Sequence, residues 1–344
     1  MEKTKSFLTF EEMEGLYANR PKRKFLWNGI KENSFGLIFG PAKSGKTILC
    51  ENLALSIAAG ETDYLGYTIS GGARKVLFVS LEEFWEDRFE RNLKQVSELK
   101  EEKQLLIKEN FFYQEISFKD KITESEDWRN LRNLIIDTEA KVVFIDSITR
   151  MNYAKLEDGA VAEKIMQNLR NICHECGITL IVVHHTRKLG EEPITMDSLK
   201  GSSVFAQESD FAIAVRNTSK NHRYMKNIFF RYSSCNDELV KEIEIDDTIW
   251  LNSINECEED DILRRTDRRR SEDKRNMIID YFDSQTTTAF NSKDIVDYFT
   301  GTFSIKQRQV KSYLSNLVQE EKILSPSRGV YTSVHYNKNL DERN

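Results

Sequence analysis

Gly40-Pro41-Ala42-Lys43-Ser44-Gly45-Lys46-Thr47 decides the reading of this chain. The octapeptide matches G-x-x-x-x-G-K-[ST] at every fixed position. It stands between an apolar run at 35–39 (FGLIF) and a segment, 48–59, whose apolar residues recur at helical spacing. A strand, a glycine-rich loop and a helix in that order make a phosphate-binding loop. Gly40 is expected to let the chain leave the strand in a conformation closed to other residues, and Gly45 to let the backbone approach phosphate. Backbone N–H groups and the helix N-terminus then offer partial positive charge to a β-phosphate. Lys46 is expected to reach the β- and γ-phosphates of ATP, and the Thr47 hydroxyl to ligate Mg2+.

Outward from the loop, 75–79 (KVLFV), 142–145 (VVFI), 178–183 (ITLIVV) and 211–215 are short and almost wholly apolar. Strands buried on both faces of a parallel sheet look like this. The amphipathic stretches 84–99, 127–138 and 161–173 are long enough to be crossover helices, so the fold class is α/β with a mainly parallel central sheet. Two later segments, 228–232 and 239–245, alternate about a polar turn at 233–237 and predict antiparallel strands closing the sheet.

The same strands place the other candidate groups. A Mg2+-bound triphosphate needs a second carboxylate at the end of a neighbouring strand, and Asp146 follows VVFI. A helix N-cap also suits an aspartate before Ser147. Glu82 follows the strand at 75–79 and is the candidate to orient the attacking water, with Glu83 a weaker one; a solvated acidic helix start is the alternative. His184-His185 ends the run ITLIVV, where a polar side chain can touch the γ-phosphate, and a structural histidine or half of a metal site are the alternatives. Cys173-His-Glu-Cys176 has metal-ligand spacing but no second pair nearby, and Gly177 reads as a helix stop.

Bulk composition narrows the class. The chain has 344 residues, which favours two domains, and is 39% hydrophobic and 31% charged with a formal net charge of -6. It is not a polycation, so nucleic-acid contact must come from local basic patches. No apolar run is long enough to cross a bilayer, and the first residues lack a signal-peptide core. With five scattered cysteines, a reducing, cytoplasmic setting without membrane contact is expected.

After about Trp250 the pattern changes. Acidic 256–261 runs into basic 264–270, a candidate charged linker at 256–271. Helices are predicted at 276–282, 292–299 and 305–318, with Gly301 at a turn, and a hairpin at 323–334. That order is a winged helix-turn-helix. The expected domains are therefore 1–255, a linker at 256–271, the winged helix at 272–336 and a tail at 337–344. Lys306, Arg308 and Lys311 lie near the start of its third helix, Gln307 and Gln309 between them, and Arg328 at the hairpin tip; DNA contact, protein contact and a plain basic helical face are the readings open.

The order of the phosphate loop, Glu82, Asp146 and a terminal polar sensor resembles the RecA-like P-loop ATPases. The stretch VHHTRK at 183–188, followed by LKGSS at 199–203 and Asp210, is similar to the RepA-type hexameric helicases of plasmids and mobile elements. The resemblance covers roughly residues 20–250. It implies a ring, with a hexamer expected, ATP bound between subunits, and single-stranded DNA in the central hole. Carried over by position, Lys46 and Thr47 bind ATP and Mg2+, Asp146 holds the metal, Glu82 is the catalytic base and His185 the sensor. Arg231 is the best match to the finger that reaches a neighbour's ATP, although Arg231-Tyr-Ser-Ser departs from the family pattern there; Arg216 and Lys226 stay open. Loops at 149–159 and 186–200 correspond to those facing the channel, the second carrying Arg187, Lys188 and Lys200. The resemblance thus implies an ATP-dependent DNA helicase or translocase in replication of a plasmid or mobile element. A non-unwinding DNA-binding ATPase (a loader, recombination mediator or defence-system component) and a protein that merely holds nucleotide are the alternatives.

Overall fold

The computed structural model describes residues 7–336 apart from 21, 152–155, 157, 188, 190, 191, 202, 219–221, 287 and 304, and describes 267–270 by backbone alone. A short helix α1 (Phe10–Ala18) precedes the paired strands β1 (Phe25–Trp27) and β2 (Ile30–Lys31). The octapeptide joins β3 (Phe35–Gly40) to α2 (Lys46–Ala58). After a small hairpin, β4 (Asp63–Tyr64) and β5 (Tyr67–Thr68), come β6 (Val76–Ser80), α3 (Trp85–Ser97), α4 (Glu101–Asn110) and β7 (Phe111–Tyr113). The alternation continues through α5 (Ser125–Thr138), β8 (Val142–Asp146), α6 (Gly159–Cys176) and β9 (Thr179–His185). A five-residue α7 (Val204–Glu208) leads to β10 (Phe211–Asn217), β11 (His222–Phe230), β12 (Leu239–Ile245) and β13 (Leu251–Glu258).

These strands form a nine-stranded sheet in the order β13-β12-β11-β10-β3-β9-β8-β6-β7. From β10 to β7 every pairing is parallel, whereas β10 to β13 pair antiparallel in succession. β3 and β8 are buried at every position, which their continuous apolar runs require of strands covered on both faces. Phe78 and Phe144 stack with centroids 5.6 Å apart across β6 and β8. α2 is buried almost all round, from Leu49 to Ala58. Gly177 closes α6 in the left-handed conformation at φ 60°, so the cysteine pair before it belongs to a helix end.

Register fixes which side chains share a rim. Gly40 pairs with His185 and Ser80 with Asp146, so β3, β9, β6 and β8 all end on one edge. β11 runs the other way, with Arg223 opposite Asn217 and Phe230 opposite Phe211. Its start therefore lies on the edge of the phosphate loop and its end on the opposite edge.

β11 begins at His222, earlier than its apolar core at 228–230 suggested, and β13 carried no apolar signal. β13 exposes most of its side chains, so backbone pairing to β12 holds it rather than burial.

From Leu263 onward the described residues form a second compact unit. Helix α8 (Glu259–Asp283) is followed by β14 (Phe290–Asn291), α9 (Ser292–Phe303), α10 (Gln307–Gln319), β15 (Ile323–Ser327) and β16 (Val330–Ser333). The three strands pair in the order β14-β16-β15. Ile278, Phe282, Phe299, Val310 and Leu314 lie in its core. The charged stretch 256–271 is the end of β13 and the first half of α8, so this connection is helical. Asp260 and Asp261 stand four residues before Arg264 and Arg265, a spacing that favours a helix where apolar residues are few. Gly301 lies inside α9 rather than at a turn.

Candidate nucleotide site

The octapeptide turns sharply because its glycines meet other chain. Gly45 has φ +95°, and a Cβ there would lie 2.5 Å from Arg223 Nε and 2.8 Å from its Cδ. Gly40 is needed for a different reason from the one expected. Its φ is not positive; instead a Cβ would strike the Val215 carbonyl on β10 and come within 2.9 Å of Ser44 Oγ.

Residues 42–48 line a cleft of ≈ 660 Å³ together with Glu82, Glu83, Asp146, His185, Arg91 and Arg223. Lys46 is buried and donates from Nζ to the Pro41 carbonyl at 2.7 Å, and burial lowers its proton affinity. The Thr47 hydroxyl donates to Asp146 Oδ2 at 2.5 Å. Asp146 is pushed up to about 6, chiefly by burial and against the Thr47 hydrogen bond. Glu82 is held down to about 2, with His185 the largest cause. His185 Nε2 lies 3.7 Å from Glu82 Oε1, beyond hydrogen-bond distance. The Ser147 and Thr149 hydroxyls also donate to Glu82 Oε1.

ATP and Mg2+ fit these residues. Thr47 and Asp146 bring two oxygens to one point, as ligands shared by a hard cation would lie. A buried carboxylate raised to about 6 is one that a divalent cation would keep ionised. Among the described residues Ser44 Oγ is buried within the loop without a hydrogen-bond partner, as a group awaiting a ligand would be.

The two histidines divide. His185 faces the cleft, whereas His184 is fully buried, bonded through Nε2 to the Lys200 carbonyl at 2.7 Å and packed on Phe205. Burial drives His184 down to about 3.

Arg231 is not brought to this rim. It follows the far end of β11, where Nη2 donates to the carbonyls of Gln207 at 3.0 Å and Ser209 at 3.2 Å, and Nε lies 3.6 Å from Asp210. Arg216 donates to the Glu192 carbonyl, and Lys226 is paired with Glu259 at 2.5 Å, so both are engaged internally. Arg187 and Lys200 are exposed beyond the end of β9, and Arg187 pairs with Glu192 at 3.2 Å; Lys188 lies outside the described residues. In the second unit Lys306, Arg308 and Lys311 are exposed around the start of α10, and Arg328 lies in the turn between β15 and β16.

Arg223 and Arg91 were missed by sequence reasoning. Arg223 sits in the polar opening of β11, and Arg91 is one of many charges on an amphipathic helix. Only the alternation along HRYMKN, read as a strand antiparallel to β10, could have put Arg223 on the loop's edge.

No curated protein matches the chain. The solved structure of the ATPase domain of G40P superposes with a TM-score of 0.51 at 15% identity, covering 65% of this chain and 86% of that one. This likeness is one of fold, and it agrees with a RecA-like P-loop architecture. The family model of the AAA domain matches residues 2–191, more than half of the chain. The protein therefore belongs to the AAA domain family of P-loop ATPases.

Proposed function

We propose that this protein is an ATP-driven DNA helicase or translocase of the RepA type, assembled as a homohexamer with ATP at the contact between subunits and serving replication of a plasmid or mobile element. The observation that carries this reading is the Thr47–Asp146 pair at 2.5 Å, with Glu82 just beyond the end of β6 and His185 at the end of β9 on the same rim.

The loop amides and Lys46 bind and orient the triphosphate. When bound, Mg2+ held by Thr47 and Asp146 would offset charge on the β- and γ-phosphates. Glu82 orients the attacking water and accepts its proton. A carboxylate held near 2 is a weak base, so its basicity rises as the Ser147 and Thr149 hydroxyls are withdrawn. Thr149 opens the loop at 149–159 proposed to face DNA, so DNA on that loop would release the base. His185, whose Nε2 lies 3.7 Å from Glu82 Oε1, is proposed to sense loss of the γ-phosphate, and Arg231 to reach the ATP of a neighbouring copy.

In the same reading the chain comprises the ATPase domain at 1–255, a connection at 256–271, a winged helix at 272–336 and a tail at 337–344. Lys306, Arg308, Lys311 and Arg328 would contact duplex phosphates, and Arg187, Lys188 and Lys200 single-stranded DNA in the channel. A cytoplasmic setting is part of the proposal.

The test is ATP turnover with and without single-stranded DNA, a mass measurement of the complex, and strand displacement on forked DNA. DNA-stimulated turnover by a hexamer that displaces a strand is expected. Slow turnover that DNA leaves unchanged, with no displacement, would favour a loader or regulator using ATP as an assembly switch.

A further inference from the structure

We infer that Arg91 is a positioning residue for catalysis: it ties the phosphate-loop helix to Glu83 and so holds the adjacent Glu82 at the nucleotide. The inference rests on the ATPase reading above and extends it to a link that crosses from α2 to α3 and back to the end of β6.

Glu51 lies one helical turn beyond Thr47 on α2, and its side chain is fully buried. Arg91 of α3 grips it with two bonds, Nε to Oε2 at 2.7 Å and Nη2 to Oε1 at 2.6 Å. The other edge of the same guanidinium takes both oxygens of Glu83, Nη1 to Oε1 at 2.7 Å and Nη2 to Oε2 at 2.6 Å. Arg88 completes the group, with Nε 3.4 Å from Glu51 Oε1 and its guanidinium 4.0 Å over the Phe78 ring. Two carboxylates and two guanidinium groups balance, which makes burial of Glu51 tolerable.

A planar fork with five N–H donors can serve two carboxylates at once, and a lysine ammonium cannot. Glu83, with both oxygens taken by Arg91, is poorly placed to accept a proton from water. Its consequence is geometric, because the residue before it is Glu82. The cleft is lined by Arg91 as well as by Glu82 and Glu83, so the clamp stands beside the reacting groups rather than in a remote core. Positioning predicts loss of rate without loss of affinity.

The experiment compares Arg91→Ala, Arg91→Lys, Glu83→Gln and the Arg91→Ala/Glu83→Gln double variant in the full-length protein, measuring kcat, KM for ATP and nucleotide affinity. Glu83→Gln is the cleanest, since it spares the buried Arg91–Glu51 pair if Arg91→Ala fails to fold. Expected is a fall in kcat on the order of 10-fold to 100-fold with affinity unchanged, a smaller loss in Arg91→Lys, and a double variant no slower than Arg91→Ala. Additive losses, or wild-type kcat in Glu83→Gln, would overturn the link. Abolished turnover in Glu83→Gln with turnover retained in Glu82→Gln would make Glu83 the base and overturn it too. A wild-type protein that turns over no ATP would sink the ATPase reading itself, and the link with it; a working wild type with unimpaired variants sinks the link alone.

Discussion

The two rims of the nine-stranded sheet are built from the same strands and do opposite things with charge. On the rim where β3, β6, β8 and β9 end, Lys46, Thr47, Glu82, Asp146 and His185 converge on one cleft, and the proton affinities of Lys46, Glu82 and Asp146 are displaced by burial and by neighbouring groups. On the other rim Arg231 and Asp210 also meet, at 3.6 Å, and Asp210 Oδ2 accepts from the Phe35 backbone N–H at 3.2 Å. There the charges close off backbone groups at strand ends. The difference follows from direction: parallel strands bring all their C-terminal ends, with the turns that follow them, to one edge.

The largest expected effect that could break this contrast is at Lys46. Lys46→Ala should lower ATP turnover on the order of 10³-fold and weaken nucleotide binding, measured by phosphate release and by titration with a fluorescent ATP analogue. Turnover near wild type would remove the cleft from the chemistry. Next is Arg231, on the far rim. Arg231→Ala should leave nucleotide binding intact and lower turnover on the order of 10²-fold, and mixing it with Lys46→Ala subunits should restore part of the lost activity if, as proposed, ATP is shared between subunits. Failure of the mixture to recover would confine Arg231 to its structural pairing.

A smaller effect sharpens the contrast within the cleft rim. Arg223→Ala should raise KM for ATP by about 10-fold, a cost of about 1.4 kcal/mol, with kcat little changed. The reverse split would place Arg223 in the chemical step.

The smallest concerns His184, one residue from the cleft but sealed from it. Its proton affinity falls from 6.5 to about 3 through burial, so the folded protein refuses a proton that the unfolded chain accepts. Stability is therefore fully present above about pH 6.5 and declines as pH falls toward 3, by at most about 1.4 kcal/mol per pH unit. Melting temperatures taken from pH 7 to pH 5 should fall more steeply for the wild type than for His184→Gln. Parallel slopes would show that His184 is not the group titrating.

Much of the cleft rim was legible in the sequence because each of its parts ends an apolar run. FGLIF, KVLFV, VVFI and ITLIVV announce buried strands, and in a parallel sheet the next polar residue must emerge at the common edge. Asp146 is read from that rule alone, whereas Glu82 stands two residues beyond Ser80 and the choice of His185 over His184 comes from the family resemblance. Arg223 and β13 were hidden because an antiparallel extension held by backbone pairing needs no apolar run. The Arg91 fork was hidden because Glu51 is 40 residues away in sequence and Glu83, eight residues away, precedes the helix that carries Arg91. His184 and His185 are indistinguishable as letters, and the alternation of a strand sends one into the core and the other to the cleft.

The account depends most on Glu82 acting at the end of a bound triphosphate. Its direct measurement is the single-turnover rate of ATP hydrolysis by Glu82→Gln, set beside the ATP dissociation constant of the same protein. The account predicts a dissociation constant within about two-fold of wild type and a rate lower on the order of 10²–10⁴-fold. A wild-type rate in Glu82→Gln, with ATP bound normally, would contradict it.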